Sequence, residues 1–265
     1  MQSSRHIDIE GAYNVRDLGG YATLDGHQTR WRTFLRSDGM HRLTPRSQER
    51  LVQYGIRTVI DLRRTWEVRY APNVFADSLQ VKYRHQNLLG DDPTEPAAVS
   101  ETGIEATGPL GWPVQQNYAE TTTRSLGPQY SAWLDRGQDR VAKTLGTLAE
   151  PGALPAVFHC SAGKDRTGII SALLLSLAGV PAQTIAEDYT LSAPQLFDVY
   201  VNEVAPPDLP AAYSVEDYES DHCPPEAMLE TLAHLEDRYG GVEAYVRECG
   251  LSANQVESLR EALVE

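Results

Sequence analysis

The stretch from Ala156 to Ala178 restricts the fold of this chain more than any other. Ala156-Val157-Phe158 reads as a buried strand, and Thr167 to Ala178 is apolar enough for a core helix. Between them stands His159-Cys160-Ser161-Ala162-Gly163-Lys164-Asp165-Arg166-Thr167-Gly168. The Cys-x5-Arg spacing lets a tight strand-to-helix turn wrap once around a tetrahedral oxyanion. Inward backbone amides, the positive end of the helix dipole and the planar two-toothed grip of Arg166 would all face that guest. Gly163 and Gly168 suit a turn that needs positive φ or close backbone approach. Such a cradle selects phosphate.

The same field acts on sulfur. Helix N-termini and adjacent cations lower a thiol from ~8.5 to roughly 3.5–7.5, and the thiolate is the nucleophile. Cys160 is therefore the expected nucleophile and needs no separate base. Thr167 is expected to donate its hydroxyl to that sulfur, and His159 to orient the loop backbone. A cysteine at a strand end is ordinarily a small buried hydrophobe; its place within this decapeptide favours catalysis.

Net charge narrows the partners. With 23 Lys and Arg against 37 Asp and Glu the chain carries −14, which disfavours nucleic acid or an anionic membrane as a partner. Hydrophobic residues at 41% are enough for a core and exclude disorder. Cys160, Cys223 and Cys249 lack CxxC spacing, so neither a disulfide framework, a metal site nor a cofactor is expected. Met1 to Glu10 is too polar for a cleavable signal. Ile169 to Val180 falls short of the ~18 apolar residues of a membrane span. The expectation is a cytoplasmic protein, with leaderless secretion as the alternative.

Strands and helices alternate along the chain, which predicts an α/β fold with a mainly parallel sheet, in a single domain over 1–265. Asp25-Gly26 marks a hairpin. Thr44-Pro45 to Gly55 reads as a capped helix, feeding a strand through Ile56, Thr58, Val59 and Ile60 that stops at Asp61-Leu62-Arg63. Asp139 to Ala149 is a second helix, and another runs from Pro181 through Tyr189. Residues 91–127, dense in Pro, Gly, Thr and Glu, are either a lid or a solvated insertion. Pro206 to Pro225 reads as a connector or a second covering loop, and amphipathic pieces over 226–265 as a helical end-piece.

The decapeptide resembles the signature loop of cysteine-dependent phosphatases. Its GKDRTG version is similar to that of the atypical bacterial tyrosine and phosphoinositide phosphatases. Asn14-Val15-Arg16-Asp17-Leu18-Gly19-Gly20, Arg36-Ser37-Asp38, Gly55 to Arg63, and Asp188-Tyr189 with Ser192 resemble that group too, in order from about Gly11 to Ser192. The resemblance implies a tyrosine-phosphatase-like fold. It also implies hydrolysis of phosphate monoesters through a phosphocysteine, with a phosphorylated protein or a phosphoinositide as substrate and inorganic phosphate as product. Residues 161–166 (Ser161, Ala162, Gly163, Lys164, Asp165, Arg166) would hold the phosphate. A rhodanese-like sulfurtransferase and a phospho-binding module without turnover are the rivals.

The departing oxygen needs a proton donor. Trp112-Pro113 is followed by Val114, so the Trp-Pro-Asp acid of many tyrosine phosphatases is missing, and the pair reads as a loop anchor. Asp165 inside the loop is one candidate; Asp91 or Asp92, swinging in from a mobile segment, is the other. Lys164 either binds a further phosphate on the substrate or lies solvated at the rim. Arg63 either touches substrate or braces the loop by pairing with carboxylates; Asp61, at the end of the same strand, is a further supporting residue. Arg16 and Asp17 read as an internal tie.

Overall fold

The computed structural model describes residues 5–91 and 126–265. Five strands, β1 (Arg16–Asp17), β2 (Phe34–Ser37), β3 (Thr58–Asp61), β4 (Lys82–His85) and β5 (Ala156–His159), form one sheet in the order β1-β2-β5-β3-β4. β5 lies parallel to both β2 and β3, β3 lies parallel to β4, and β1 alone is antiparallel to its neighbour. The mainly parallel sheet is as expected. Alternation along the strands feeds two cores: Phe34, Ile60, Ala156 and Phe158 join one cluster, Leu35, Val59 and Val157 the other. A slip of one residue would exchange the two sets, so the register is strongly specified.

Eleven helices flank the sheet among the described residues: α1 (Pro45–Tyr54), α2 (Thr65–Tyr70), α3 (Leu126–Arg136), α4 (Gln138–Leu148), α5 (Asp165–Leu177), α6 (Ala182–Thr190), α7 (Ser192–Val199), α8 (Val215–His222), α9 (Pro225–Tyr239), α10 (Val242–Glu248) and α11 (Ala253–Leu263). α1 has the expected ends: the Thr44 side chain accepts from the Ser47 amide, and Gly55 closes the helix at φ 106°. α5 buries nearly every residue from Thr167 to Leu177, as an all-round apolar helix must.

Three differences from the sequence reading bear on the site. α5 begins at Asp165, because the Gly168 amide already reaches the Lys164 carbonyl at 2.7 Å. Asp165 and Arg166 thus belong to the first helical turn. The supposed connector 206–225 contains α8, opened by a reciprocal Ser214/Asp217 capping box. The six-residue α2 directly after β3 was not anticipated.

The helical end-piece returns to the start of the chain. Val264 bridges Thr29, and the Arg30 amide donates to the Leu263 carbonyl at 2.6 Å. Among the described residues no helix is long and apolar enough to cross a membrane. Asp92, Trp112-Pro113 and almost all of the 91–127 segment lie outside the described residues.

Candidate active site

Ser37, Asp61 and His159 stand in register at the carboxyl ends of β2, β3 and β5. The segments that follow them emerge side by side at the sheet edge where open α/β folds bind ligands. Cys160, 1% exposed, begins the central one.

The loop's carbonyls are all engaged. Cys160 O accepts from His159 Nδ1 at 3.0 Å, and Ser161 O from the Gly39 amide at 2.8 Å. Asn14 Nδ2 donates to Ala162 O at 3.0 Å and to Gly163 O at 3.2 Å, and Arg36 Nη2 reaches Gly163 O at 2.8 Å. The amides of Ser161 through Arg166 donate to no protein group among the described residues. Donors left over in this way need a partner, and an anion at the head of α5 would supply one. Gly163 takes φ 66°, and a Cβ there would lie 2.6 Å from the backbone of Ser37 and Asp38, so only glycine fits.

Behind Asn14 stands a buried charge cluster. Arg16 Nη1 donates to Asn14 Oδ1, Arg16 Nη2 to the Asp188 carbonyl at 3.0 Å, and Arg36 pairs with the Asp188 carboxylate. Tyr21 OH adds a donor to Asp188 at 2.6 Å. Burial would raise the Asp188 pKa, but Arg36 and Arg16 hold it below the usual range. Asp38 accepts the amides of Tyr13 and Asn14, each at 3.0 Å, and burial still pushes it up to about 6. Arg16 and Asp17 tie the amino-terminal segment to other parts of the fold, Arg16 to Asp188 and Ser192. Asp17 accepts the Gly19 and Arg32 amides, both at 2.8 Å, and the Tyr54 hydroxyl.

Arg166 is gripped by Glu67 of α2, a residue the sequence reading missed. Both terminal guanidinium nitrogens reach the carboxylate, Nη2 to Oε1 at 2.9 Å, and Ser161 Oγ donates to the same oxygen. Burial would raise Glu67, yet Arg166 and these donors hold it at about 2. The available signal was its place three residues after Arg64, whose amide donates to Glu67 Oε2 at 2.7 Å. Arg63 binds Asp61 through Nε at 2.9 Å and Nη2 at 2.6 Å and donates to the Ala71 carbonyl, so it braces the sheet edge. His159 Nε2 lies 2.8 Å from Asn73 Nδ2, and burial lowers its pKa, leaving a neutral ring whose Nδ1 proton serves the Cys160 carbonyl.

The remaining candidates separate. Asp165 accepts from Tyr130 OH through Oδ1 and lies 3.3 Å from Lys164 Nζ. Lys164 is buried and donates to the His222 carbonyl at 2.7 Å, which corrects the reading of a solvated rim lysine. Asp91 accepts from the Thr65 amide and hydroxyl and from Asn87 Nδ2, so both of its oxygens are taken up at the start of α2. The Thr167 hydroxyl is buried without a partner, so the expected bond to the Cys160 sulfur is not formed in this arrangement. Burial first, and neighbouring acidic groups after it, push Cys223 up to about 12 and Cys249 up to about 11. A cleft of about 380 Å³ is lined by Arg64, Asp91, Trp133, Arg136 and Arg140.

The model of a tyrosine phosphatase family matches residues 7–265. A tyrosine-protein phosphatase of Nostoc commune is 28% identical, over 86% of this chain and 72% of its own length. The triple specificity protein phosphatase PtpB of Mycobacterium tuberculosis is also 28% identical, over 97% of this chain and 98% of its own.

Proposed function

The chain belongs to the tyrosine phosphatase family, and on that premise we propose that it hydrolyses protein phosphotyrosine at the loop 160–166 through a phosphocysteine. The observation that carries the reading is the set of unengaged amides from Ser161 to Arg166 around Cys160, with Arg166 oriented by Glu67. Cys160 Sγ attacks phosphorus in line while the amides and Arg166 hold the equatorial oxygens, where charge gathers in the transition state. The S–P bond forms as the P–O bond to tyrosine breaks, and Asp165 gives its proton to the departing phenolate. Water then attacks phosphorus and loses a proton to the Asp165 carboxylate. The S–P bond breaks and inorganic phosphate leaves.

Asp165 is preferred to Asp91 because both Asp91 oxygens are occupied. A second reading, hydrolysis of a phosphoinositide, is favoured by the cleft in which three guanidinium groups, Arg64, Arg136 and Arg140, gather. Initial rates on phosphotyrosyl peptides and a phosphoinositide panel, with Cys160→Ser as blank, separate the two. Turnover of thiosulfate and cyanide with none of p-nitrophenyl phosphate would sink both. The acid is tested by Asp165→Asn, which is expected to slow aryl phosphates with basic leaving groups far more than activated ones. Equal losses would exclude it.

A further inference from the structure

Asp165 sits in a closed polar ring that the phosphate chemistry alone does not demand. Tyr130 OH, from the middle of α3, donates to Asp165 Oδ1 and lies 2.8 Å from Tyr189 OH of α6. Tyr189 OH lies 3.4 Å from the His222 carbonyl at the end of α8, and Lys164 Nζ donates to that same carbonyl at 2.7 Å. Lys164 Nζ closes the ring 3.3 Å from Asp165 Oδ1. Both tyrosines are fully buried. Oδ1 thus has one hydrogen-bond donor and an ion-pair partner, while Oδ2 accepts no hydrogen bond from any described residue.

The asymmetry between the two oxygens has a mechanistic use. A carboxyl group that is free to rotate divides its time between two equivalent oxygens, and proton transfer requires one of them aligned with the departing atom. Burial, and after it the nearby Asp165 carboxylate, raises the Tyr130 phenol well above its ordinary pKa, so it stays a donor throughout the working range. The bond from a donor that never ionises fixes which oxygen faces the substrate. It also stabilises the carboxylate that Asp165 becomes once its proton has gone, and that carboxylate is the base of the second step.

We propose that Tyr130 is a positioning residue for the general acid: its hydroxyl, pinned by Tyr189, holds Asp165 Oδ1 and leaves Oδ2 to carry the proton to the departing oxygen and to collect one from water. The inference rests on the assignment of Asp165 as the acid. Nothing in it requires Tyr130 to touch substrate.

The test is a double-mutant cycle read on two aryl phosphates, phenyl phosphate with a basic leaving group and 2,4-dinitrophenyl phosphate with an activated one. Tyr130→Phe is expected to lower kcat/KM on phenyl phosphate about tenfold and on the dinitrophenyl ester less than twofold. In an Asp165→Asn background the same change is expected to cost less than twofold on either ester, because the group it positions is gone. Vanadate affinity reports the folded cradle and is expected to stay within threefold in all variants. Equal losses on both esters from Tyr130→Phe, or a tenfold loss that persists beside Asp165→Asn while Asp165→Asn itself discriminates the esters, would overturn the role of Tyr130. If Asp165→Asn alone shows no discrimination, the acid assignment fails instead. Should Tyr130→Phe not fold, Tyr189→Phe keeps the Tyr130–Asp165 bond but unpins it. A smaller loss confined to phenyl phosphate and absent beside Asp165→Asn then supports the proposal, and no selective loss overturns it.

Discussion

The Glu67 carboxylate takes both terminal nitrogens of Arg166, and the two residues stand 99 positions apart in the chain. The pair fixes the plane of the guanidinium before any anion arrives, so less rotational freedom is lost on binding. Glu67→Gln keeps the shape and removes the charge. It is expected to raise the vanadate Kd and lower kcat/KM by roughly ten- to a hundredfold, the scale of a charge-assisted hydrogen bond. Because Glu67 acts on phosphate binding and not on the leaving group, the loss should be the same for activated and unactivated aryl phosphates.

Alkylation provides a direct reading of the nucleophile. With the Cys223 and Cys249 thiols pushed up to about 12 and about 11, iodoacetamide at neutral pH is expected to modify Cys160 alone in the folded protein. Vanadate should block it. Mass spectrometry after brief labelling checks the site, and an unprotected, sluggish Cys160 would remove the basis of the proposed chemistry.

The loop was legible because its parts are contiguous: strand, Cys160, Gly163, Arg166 and helix follow one another within a few residues. Its supports were legible only in part: His159 and Arg63 were read as braces, and Asn14, Arg36 and Asp188 stood in segments resembling the family, but their contacts to the loop and to one another were not. Glu67 lies in a six-residue helix with no apolar period to betray it, Tyr130 reaches Asp165 only through folding, and Asp188 acts on the loop only through Arg36. Asp91 drew attention as an acid beside a long loop, although its carboxylate serves the Thr65 amide. α8 was hidden by the prolines around it, while the Ser214/Asp217 pair that opens it was readable. Local chemistry is visible in one dimension; partners brought together by the sheet are not.

Asp38 makes stability depend on pH in an unusual direction. Its folded pKa, pushed up to about 6, exceeds the ordinary 3.8, so between these values the native chain holds a proton that the unfolded chain has lost. That contribution therefore falls as pH rises through the window, by about 3 kcal/mol in all. Asp38→Asn is expected to flatten this part of the curve, seen as a smaller difference between urea midpoints at pH 4 and pH 7. Glu67 has the opposite sign: held at about 2, it stabilises fully above 4.5 and loses that contribution as pH falls toward 2.

Asn14 offers the cleanest test of the outward carbonyls. Asn14→Asp is nearly isosteric but replaces the donor to Ala162 O and Gly163 O with an acceptor. Expected are a KM and a vanadate Kd both raised by about tenfold or more, since the two carbonyls lose a donor and face a repulsive oxygen. Unchanged vanadate affinity, measured by competition, would show that the loop keeps its shape without this clamp.

The carbonyls of the loop are tied by Asn14, Arg36 and Gly39, residues that all lie near the start of the chain and are brought to the loop by the pairing of β2 with β5. The proposed anion cradle is thus complete only when this segment is docked. If the loop holds phosphate as proposed, the inorganic phosphate that the reaction releases would bind only the folded molecule and by mass action favour it over the unfolded chain. An enzyme built this way is protected by its own product, and phosphate-rich surroundings would preserve it while they slow it.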